Sequence, residues 1–242
     1  MERETIILGG WTEDKLDHIL REASEIREAG ERIDFISNHF LGIDYKESTL
    51  TGAINRREEL VMNLGGIDCF TFIDYVEAMR LSASFPEFKE ILKKVRYRSG
   101  EVVFTNRNHF FTDWAEFNSG FVRDVTGQLG GRKAATAHKE LNKKEDGTCY
   151  LEGIRSRQRE IGYIPSDAID RSVADKIKTG DYIGIYSMAQ GLDVSHAGIF
   201  IRHGEETCLR HASSAKEHRK VIDQDFKSYI AGKPGIIVLR PE

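Results

Sequence analysis

Apolar residues recur at helical spacing through much of the first hundred positions. From Thr12, a suitable N-cap, to Ala29 the spacing predicts a first helix, which Gly30 would end. Its apolar stripe consists of Leu16, Ile19, Leu20, Ala23 and Ile26. The same spacing predicts further helices over residues 31–40, 69–82 and 85–94.

The helix over 69–82 has the clearest start. Gly65 and Gly66 interrupt the preceding chain, Asp68 is a good N-cap, and Cys69 then opens the helix. The apolar stripe is Phe72, Ile73, Val76 and Met79. The pattern therefore places a thiol on the first turn of an amphipathic helix.

In the second half of the chain, the spacing of apolar residues is more typical of strands than of helices. Residues 49–63 and parts of 96–126 are compatible with strands, whereas the polar stretch 127–147 is predicted to be a surface excursion. A helix capped by Ser166 is predicted over 166–178. β-branched and aromatic residues predict antiparallel strands over 181–186, 196–203, 207–212 and 235–239. Helices followed by a strand-rich half indicate an α+β fold.

Composition limits the classes of function. The 242 residues suit a single catalytic domain over 1–242, with a helical N-terminal extension over 1–48 and a core over 49–242. The net charge of −4 is mixed along the chain, which argues against nucleic acid as a partner. No apolar run is long enough for a transmembrane helix. Residues 1–11 lack secretory-signal features, so the sequence fits either a cytosolic protein or a mature form whose signal was removed.

The three cysteines are Cys69, Cys149 and Cys208, an odd set with no CxxC pair. Such a set is neither a disulfide framework nor a structural zinc site. At a helix start, backbone N–H groups and the helix dipole lower the pKa of a thiol and can hold an oxyanion. Cys69 is therefore a candidate nucleophile; the alternative is a small buried residue on an amphipathic helix.

A nucleophilic cysteine needs a base, and the candidate is His196 at the start of a predicted strand. Gly198 shares its face and leaves room beside the imidazole. His211 on the next predicted strand is the candidate that orients His196, with Asp193 and Ser213 as local alternatives. His196 taken alone also fits a structural histidine at a strand edge. The remaining histidines are interpreted as surface residues: His18, His39, His138, His203 and His218.

Three short segments carry a resemblance to a known family. They are Asp68-Cys69, Ser195-His196-Ala197-Gly198-Ile199 and Arg210-His211-Ala212-Ser213. Their order and content resemble the NlpC-type cell-wall cysteine peptidases. The runs Tyr97-Arg98-Ser99-Gly100, Arg107-Asn108-His109-Phe110 and Asp113-Trp114 resemble the N-acetylmuramoyl-L-alanine amidase-like branch of that group. The similarity extends from about residue 67 to residue 229.

This resemblance implies a papain-like core in which the nucleophile helix packs on an antiparallel sheet. It implies hydrolysis of the amide between N-acetylmuramic acid and L-alanine by a cysteine nucleophile, through a thioester, with no metal and no cofactor. The expected partners are peptidoglycan or muropeptide fragments, the expected state is a monomer, and the expected location is the bacterial cell envelope, periplasmic or secreted.

Further residues are candidates for substrate binding, each with a structural alternative. Asp68 either caps the helix or binds a substrate amine, and Arg107 either binds a stem-peptide carboxylate or forms a surface salt bridge. Trp114 either stacks on a sugar or belongs to the core. The other candidates are His109, Asp113, Ser195 and Ser213, together with Asn63 as an oxyanion donor.

Three other functions compete with the amidase. The same chemistry suits an endopeptidase that cuts between D-glutamate and the diamino acid, although Phe70 and Thr71 replace the small residues that follow the cysteine in commoner superfamily members. The fold also suits a catalytically silent wall-binding module. Finally, Cys69, His196 and His211 would suffice for a catalytic zinc site.

Overall fold

A computed structural model describes residues 3–242 and divides the chain into two compact units. Unit 1 comprises the residues up to Arg107 together with Arg210–Asp223. Unit 2 comprises Asn108–Leu209 and Gln224–Glu242. Within the described residues, no helix is both long and apolar enough to cross a membrane. The organisation as a single catalytic domain stays a prediction.

Unit 1 is built mainly from helices. They are α1 (Glu13–Ser24), α2 (Ala29–Asn38), α3 (Cys69–Arg80) and α4 (Phe85–Arg96). Two short strands, β1 (Glu4–Ile7) and β2 (Leu60–Asn63), pair in parallel, with Glu4 opposite Leu60. The predicted cap at Thr12 is confirmed, because its side chain accepts from the Lys15 amide. The predicted stop at Gly30 is wrong: α1 already ends at Ser24, and Gly30 lies in the first turn of α2.

Helix α3 is the central helix of unit 1. It packs against α1, α2 and α4, and every residue from Thr71 to Arg80 is buried. Its polar side chains are neutralised locally: Arg80 Nη2 lies 2.7 Å from Glu77 Oε1, and Arg96 Nε lies 2.8 Å from Asp74 Oδ2. Burial on all sides fixes the direction of the helix that Cys69 begins.

The main sheet has six strands in the order β3-β10-β6-β7-β8-β9. The strands are β3 (Val122–Asp124), β6 (Tyr182–Tyr186), β7 (Val194–His203), β8 (Glu206–Ala212), β9 (Val221–Asp225) and β10 (Ile236–Pro241). Strand β10 pairs antiparallel with β3 and β6, and β6 pairs antiparallel with β7, as predicted for the strand-rich half. The division between the units falls within β8 and β9.

Four short helices complete unit 2. They are α5 (Phe111–Phe117), α6 (Thr126–Gly130), α7 (Arg171–Ala174) and α8 (Phe226–Ile230). The core contains Ile183, Ile185 and Phe200 from the sheet, packed with Phe226 and Ile230 from α8. Mixed helices and an antiparallel sheet agree with the predicted α+β class at this level.

Two predictions for unit 2 are corrected. Residues 127–147 are no mere surface excursion, because β4 (Ala135–Leu141) pairs antiparallel with β5 (Arg157–Tyr163). The predicted helix over 166–178 is broken, since the Asp170 side chain accepts from the Val173 amide and starts α7 afresh. The segment 96–126, predicted to be strand-like in places, contains strand β3 together with helix α5.

Candidate active site

Cys69 is the first residue of α3 and is half-buried. Asp68 caps the helix: its Oδ1 accepts from the Phe70 amide at 3.0 Å and the Thr71 amide at 2.7 Å. In return Thr71 Oγ1 accepts from the Asp68 amide at 3.0 Å, which completes a capping box. The predicted N-cap is therefore confirmed. This geometry holds the thiol at the positive end of the helix dipole.

The approach to Cys69 is held by the connecting segment, residues 42–46. The Lys46 amide donates to Ile67 O at 2.9 Å, and the Ile67 amide donates to Asp44 O at 3.0 Å. On its other side, the Tyr45 amide donates to Arg219 O at 2.9 Å. The connecting segment thus joins the residues before the nucleophile to the loop that follows β8.

His211 lies near the end of β8, and only 2% of its surface is exposed. Its neighbour Arg210 is anchored on both sides. The Arg210 guanidinium donates to both carboxylate oxygens of Asp223 at 2.8 Å and to Asp34 Oδ1 at 2.8 Å. Burial opposes the charge of Arg210, but these carboxylates and their hydrogen bonds raise its pKa overall. The anchored arginine fixes the strand that carries His211.

Ser213 follows on the same strand end and is buried, and its amide donates to Lys220 O at 2.9 Å. Asn63, the candidate oxyanion donor, is also buried. Its Oδ1 accepts from the Gly65 amide at 3.1 Å, which shapes the turn before Cys69. Unit 1 therefore contains Cys69 and His211 together with their neighbours Asp68 and Ser213.

His196 belongs to unit 2 and lies on β7 opposite Ile185, next to a register shift between Ile185 and Tyr186. Its ring is half-buried and lies 6.1 Å from the ring of Tyr229. Ser195 is exposed, and its Oγ donates to Ile185 O at 3.4 Å. The register shift marks an irregular strand edge at the candidate base.

The alternative orienter Asp193 is buried and has its own partners. One oxygen accepts from the Thr112 amide at 2.7 Å and from Thr112 Oγ1 at 2.9 Å, and the other accepts from the Val194 amide at 2.8 Å. Burial raises the pKa of this carboxyl, although the three donors oppose the shift. Asp193 thereby ties the start of β7 to the first turn of α5.

A buried lysine holds the loop that leads to His196. Lys139 Nζ donates to the carbonyl oxygens of Ala189 and Leu192, each at 2.9 Å, and also to Ser187 O. Burial lowers the pKa of Lys139, while the charge of Asp193 raises it. Sequence reasoning missed this residue, because it lies in the stretch predicted to be a surface excursion.

The sequence predicts that Arg107 either binds a substrate carboxylate or forms a surface salt bridge. Its Nη2 lies 2.6 Å from Glu58 Oε2 and donates to Thr51 O at 2.6 Å. The Glu58 side chain is only 2% exposed, and its other oxygen accepts from Tyr97 Oη at 2.7 Å. The salt bridge is therefore present, but it is buried rather than on the surface.

The candidates His109, Asp113 and Trp114 lie in unit 2. Trp114 has no exposed surface and stacks on Phe111, as its core alternative expects. Asp113 is buried and forms ion pairs with Arg157 and Arg159, while His109 is half-buried. Among residues 3–242, no three His, Cys, Asp or Glu side chains form a group that could hold a metal ion.

Comparison with protein families gives one match. The profile of the AmiA-like family, described as N-acetylmuramoyl-L-alanine amidase-like, matches residues 35–236. A comparison with curated proteins gave no significant match.

Solved structures also resemble this chain. A Legionella pneumophila protein, LPG0564, is 24% identical with a TM-score of 0.80, covering 95% of this chain and 94% of its own. A Bacteroides uniformis N-acetylmuramoyl-L-alanine amidase is 26% identical with a TM-score of 0.72, covering 89% and 100%. A Bacteroides fragilis protein described as a candidate xylanase is 26% identical with a TM-score of 0.66, covering 84% and 98%.

The family profile covers most of the chain and includes Cys69, His196 and His211. At the coarse level, the family and the amidase neighbour support a hydrolase that acts on peptidoglycan. The chain belongs to the AmiA-like, N-acetylmuramoyl-L-alanine amidase-like family.

Proposed function

We propose that the protein hydrolyses the amide between N-acetylmuramic acid and L-alanine, with Cys69 as the nucleophile. The observation that carries this proposal is the position of Cys69 at the first residue of a capped, buried helix. A thiol in that setting is stabilised as the thiolate, which is the nucleophilic form. The family description suggests the bond, because the family is described as N-acetylmuramoyl-L-alanine amidase-like.

The proposed reaction has two steps, with a papain-like division of roles. The Cys69 thiolate attacks the lactyl carbonyl carbon, and the oxyanion collapses to a thioester as the C–N bond breaks. His196 gives its proton to the departing amine of L-alanine. His196 then takes a proton from water, which attacks the thioester. The intermediate collapses to the carboxylic acid of muramic acid and the Cys69 thiolate, which restores the thiolate and the protonated His196.

His211 is proposed to orient His196. Support comes from its burial and from the anchoring of the adjacent Arg210, which gives the His211 ring a fixed strand to project from. Asp193 is a weaker candidate, since both of its oxygens already accept hydrogen bonds from Thr112 and Val194. A peptidoglycan substrate also supports action outside the cytoplasm, in the cell envelope.

Mass spectrometry of defined muropeptides tests the bond and the nucleophile together. Wild-type protein is expected to release free stem peptide beginning at L-alanine, whereas Cys69→Ala is expected to release none. Cys149→Ala is the matched control, since this thiol is exposed and lies outside the proposed site. Full activity of Cys69→Ala would refute the mechanism.

Other arms of this experiment separate the competing functions. Cleavage after D-glutamate would keep the chemistry and move the bond to that of the endopeptidase. Activity lost on chelation would favour the zinc site, and sugars released from xylan would favour a glycosidase. In a Cys149→Ala/Cys208→Ala background, where Cys69 is the remaining thiol, labelling against pH is expected to give Cys69 a pKa below the reference of about 8.5. An unshifted thiol without turnover would favour the wall-binding module.

A further inference from the structure

An unpaired arginine lies beside the approach to the nucleophile. Arg219 is exposed, in the loop between β8 and β9, and its guanidinium lies 4.6 Å from the centre of the Tyr45 ring. Within residues 3–242 it forms no ion pair. Its backbone has φ of 48°, in the left-handed region that costs energy for a residue with a side chain. The loop nevertheless presents an arginine here.

Tyr45 links this arginine to the nucleophile. The Tyr45 amide donates to Arg219 O, and Tyr45 pairs in a parallel bridge with Ile67, two residues before Cys69. The Tyr45 side chain is half-buried, and its hydroxyl has no hydrogen-bond partner among the described residues. Burial raises the pKa of this phenol, and the negative charges of Cys69 and Asp68 raise it further. The ring therefore lies within electrostatic range of the thiolate.

A guanidinium stacked on an aromatic ring keeps its N–H edge available. Cation–π contact orients the plane of the guanidinium while its donors point outward, in the fork that matches a carboxylate. Arg107, the other candidate for this role, already donates through Nη2 to Glu58 and Thr51. Among the described residues, Arg219 thus combines a guanidinium without an ion pair with a position on the ring of Tyr45.

We propose that Arg219, held on the ring of Tyr45, binds a carboxylate of the stem peptide and thereby selects the substrate of Cys69. This inference rests on the proposed function. The nearest free carboxylate to the scissile bond is that of the γ-linked D-glutamate, which follows L-alanine. One or two residues of extended chain span about 3.5–7 Å, so this carboxylate lies close to the scissile bond.

The test compares two muropeptides that differ only in this group, one with the free α-carboxylate of D-glutamate and one with the corresponding amide. Dissociation constants are measured by calorimetry on Cys69→Ala protein, so that binding is observed without turnover. The free carboxylate is expected to bind about 3- to 5-fold more tightly, the upper range of a solvent-exposed charged pair. Adding Arg219→Ala should reduce this ratio to within about 2-fold.

Two further variants control the result. Arg219→Lys is expected to keep part of the ratio, because it retains the charge and loses the planar fork. Lys216→Ala removes an exposed cation from the same loop and should leave the ratio unchanged. A ratio that survives Arg219→Ala would overturn the inference, and so would an equal loss in Lys216→Ala or no binding of either peptide.

Wild-type kinetics on the same pair distinguish this inference from the proposed function. If the amidase assignment holds, the ratio should reappear in kcat/KM, mainly through KM, because the carboxylate is bound in the ground state as well. Absence of cleavage alongside a ratio that depends on Arg219 would refute the amidase and keep the binding site. Cleavage of both muropeptides without a preference for the carboxylate would support the amidase and refute the role of Arg219.

Discussion

Asp68 offers two roles that substitution can separate, a helix cap and a substrate contact. Its Oδ1 accepts from two amides and one hydroxyl at the start of α3. Loss of an N-cap costs about 0.5–2 kcal/mol. Because α3 is buried from Thr71 onward, water replaces the lost acceptor poorly, and Asp68→Ala should cost about 2 kcal/mol. For a chain of this size, that corresponds to a fall in Tm of about 4–8 °C.

Asp68→Asn is the informative partner, since asparagine caps helices about as well as aspartate. It should keep the free energy of unfolding within about 0.5 kcal/mol of the wild type. Urea denaturation measures this quantity, and muropeptide cleavage is followed on the same samples. If Asp68 only caps, Asp68→Asn retains activity and Asp68→Ala loses some through fraying at Cys69. A stable but inactive Asp68→Asn would show that the carboxylate contacts substrate. If Asp68→Asn and Asp68→Ala lost equal stability, the reasoning from the cap would be refuted.

Two further predictions concern charges held by the fold. Arg210→Met should lower the free energy of unfolding, measured by urea denaturation, by about 2–3 kcal/mol. The loss is smaller than for a fully buried ion pair because the side chains of Asp34 and Asp223 are 24% and 33% exposed. An unchanged urea midpoint would contradict this anchoring. Hydrogen bonds from Lys133 and Ser172 lower the pKa of Asp170 to about 2. The stabilisation from the ionised Asp170 carboxylate is therefore complete above about pH 4 and is lost as the pH falls towards 2. Asp170→Asn should therefore lose less stability than the wild type between pH 4 and pH 2, in thermal melts; identical pH dependence would count against the shift.

Local signals predicted the candidate nucleophile and its helix. The cap, the first helical residue and the apolar stripe of α3 all lie within fifteen residues, and nearest-neighbour geometry determines each of them. The strands β6, β7 and β8 were also predictable, because alternation and β-branching are local properties. The boundaries differed by one or two residues, where capping interactions decide the ends.

Pairings between distant residues were beyond the reach of the sequence. The parallel pair of β1 and β2 joins residues more than fifty positions apart, and β4 is polar on its outer side, so neither gave a clear periodic signal. The sequence placed Arg107 equally well on a substrate or in an ion pair, and the nearby Glu58 decided for the ion pair.

The sequence by itself determined the chemistry that the chain offers: a thiol at a helix start, two histidines on strands, and an α+β order of elements. The tertiary structure decided which charged groups are already paired. In the structure Trp114 is buried and Arg107 forms an ion pair with Glu58, whereas Arg219 is exposed and lies over the ring of Tyr45. The physical reason is that helix caps and strand alternation depend on neighbours along the chain, but burial and ion pairing depend on neighbours in space.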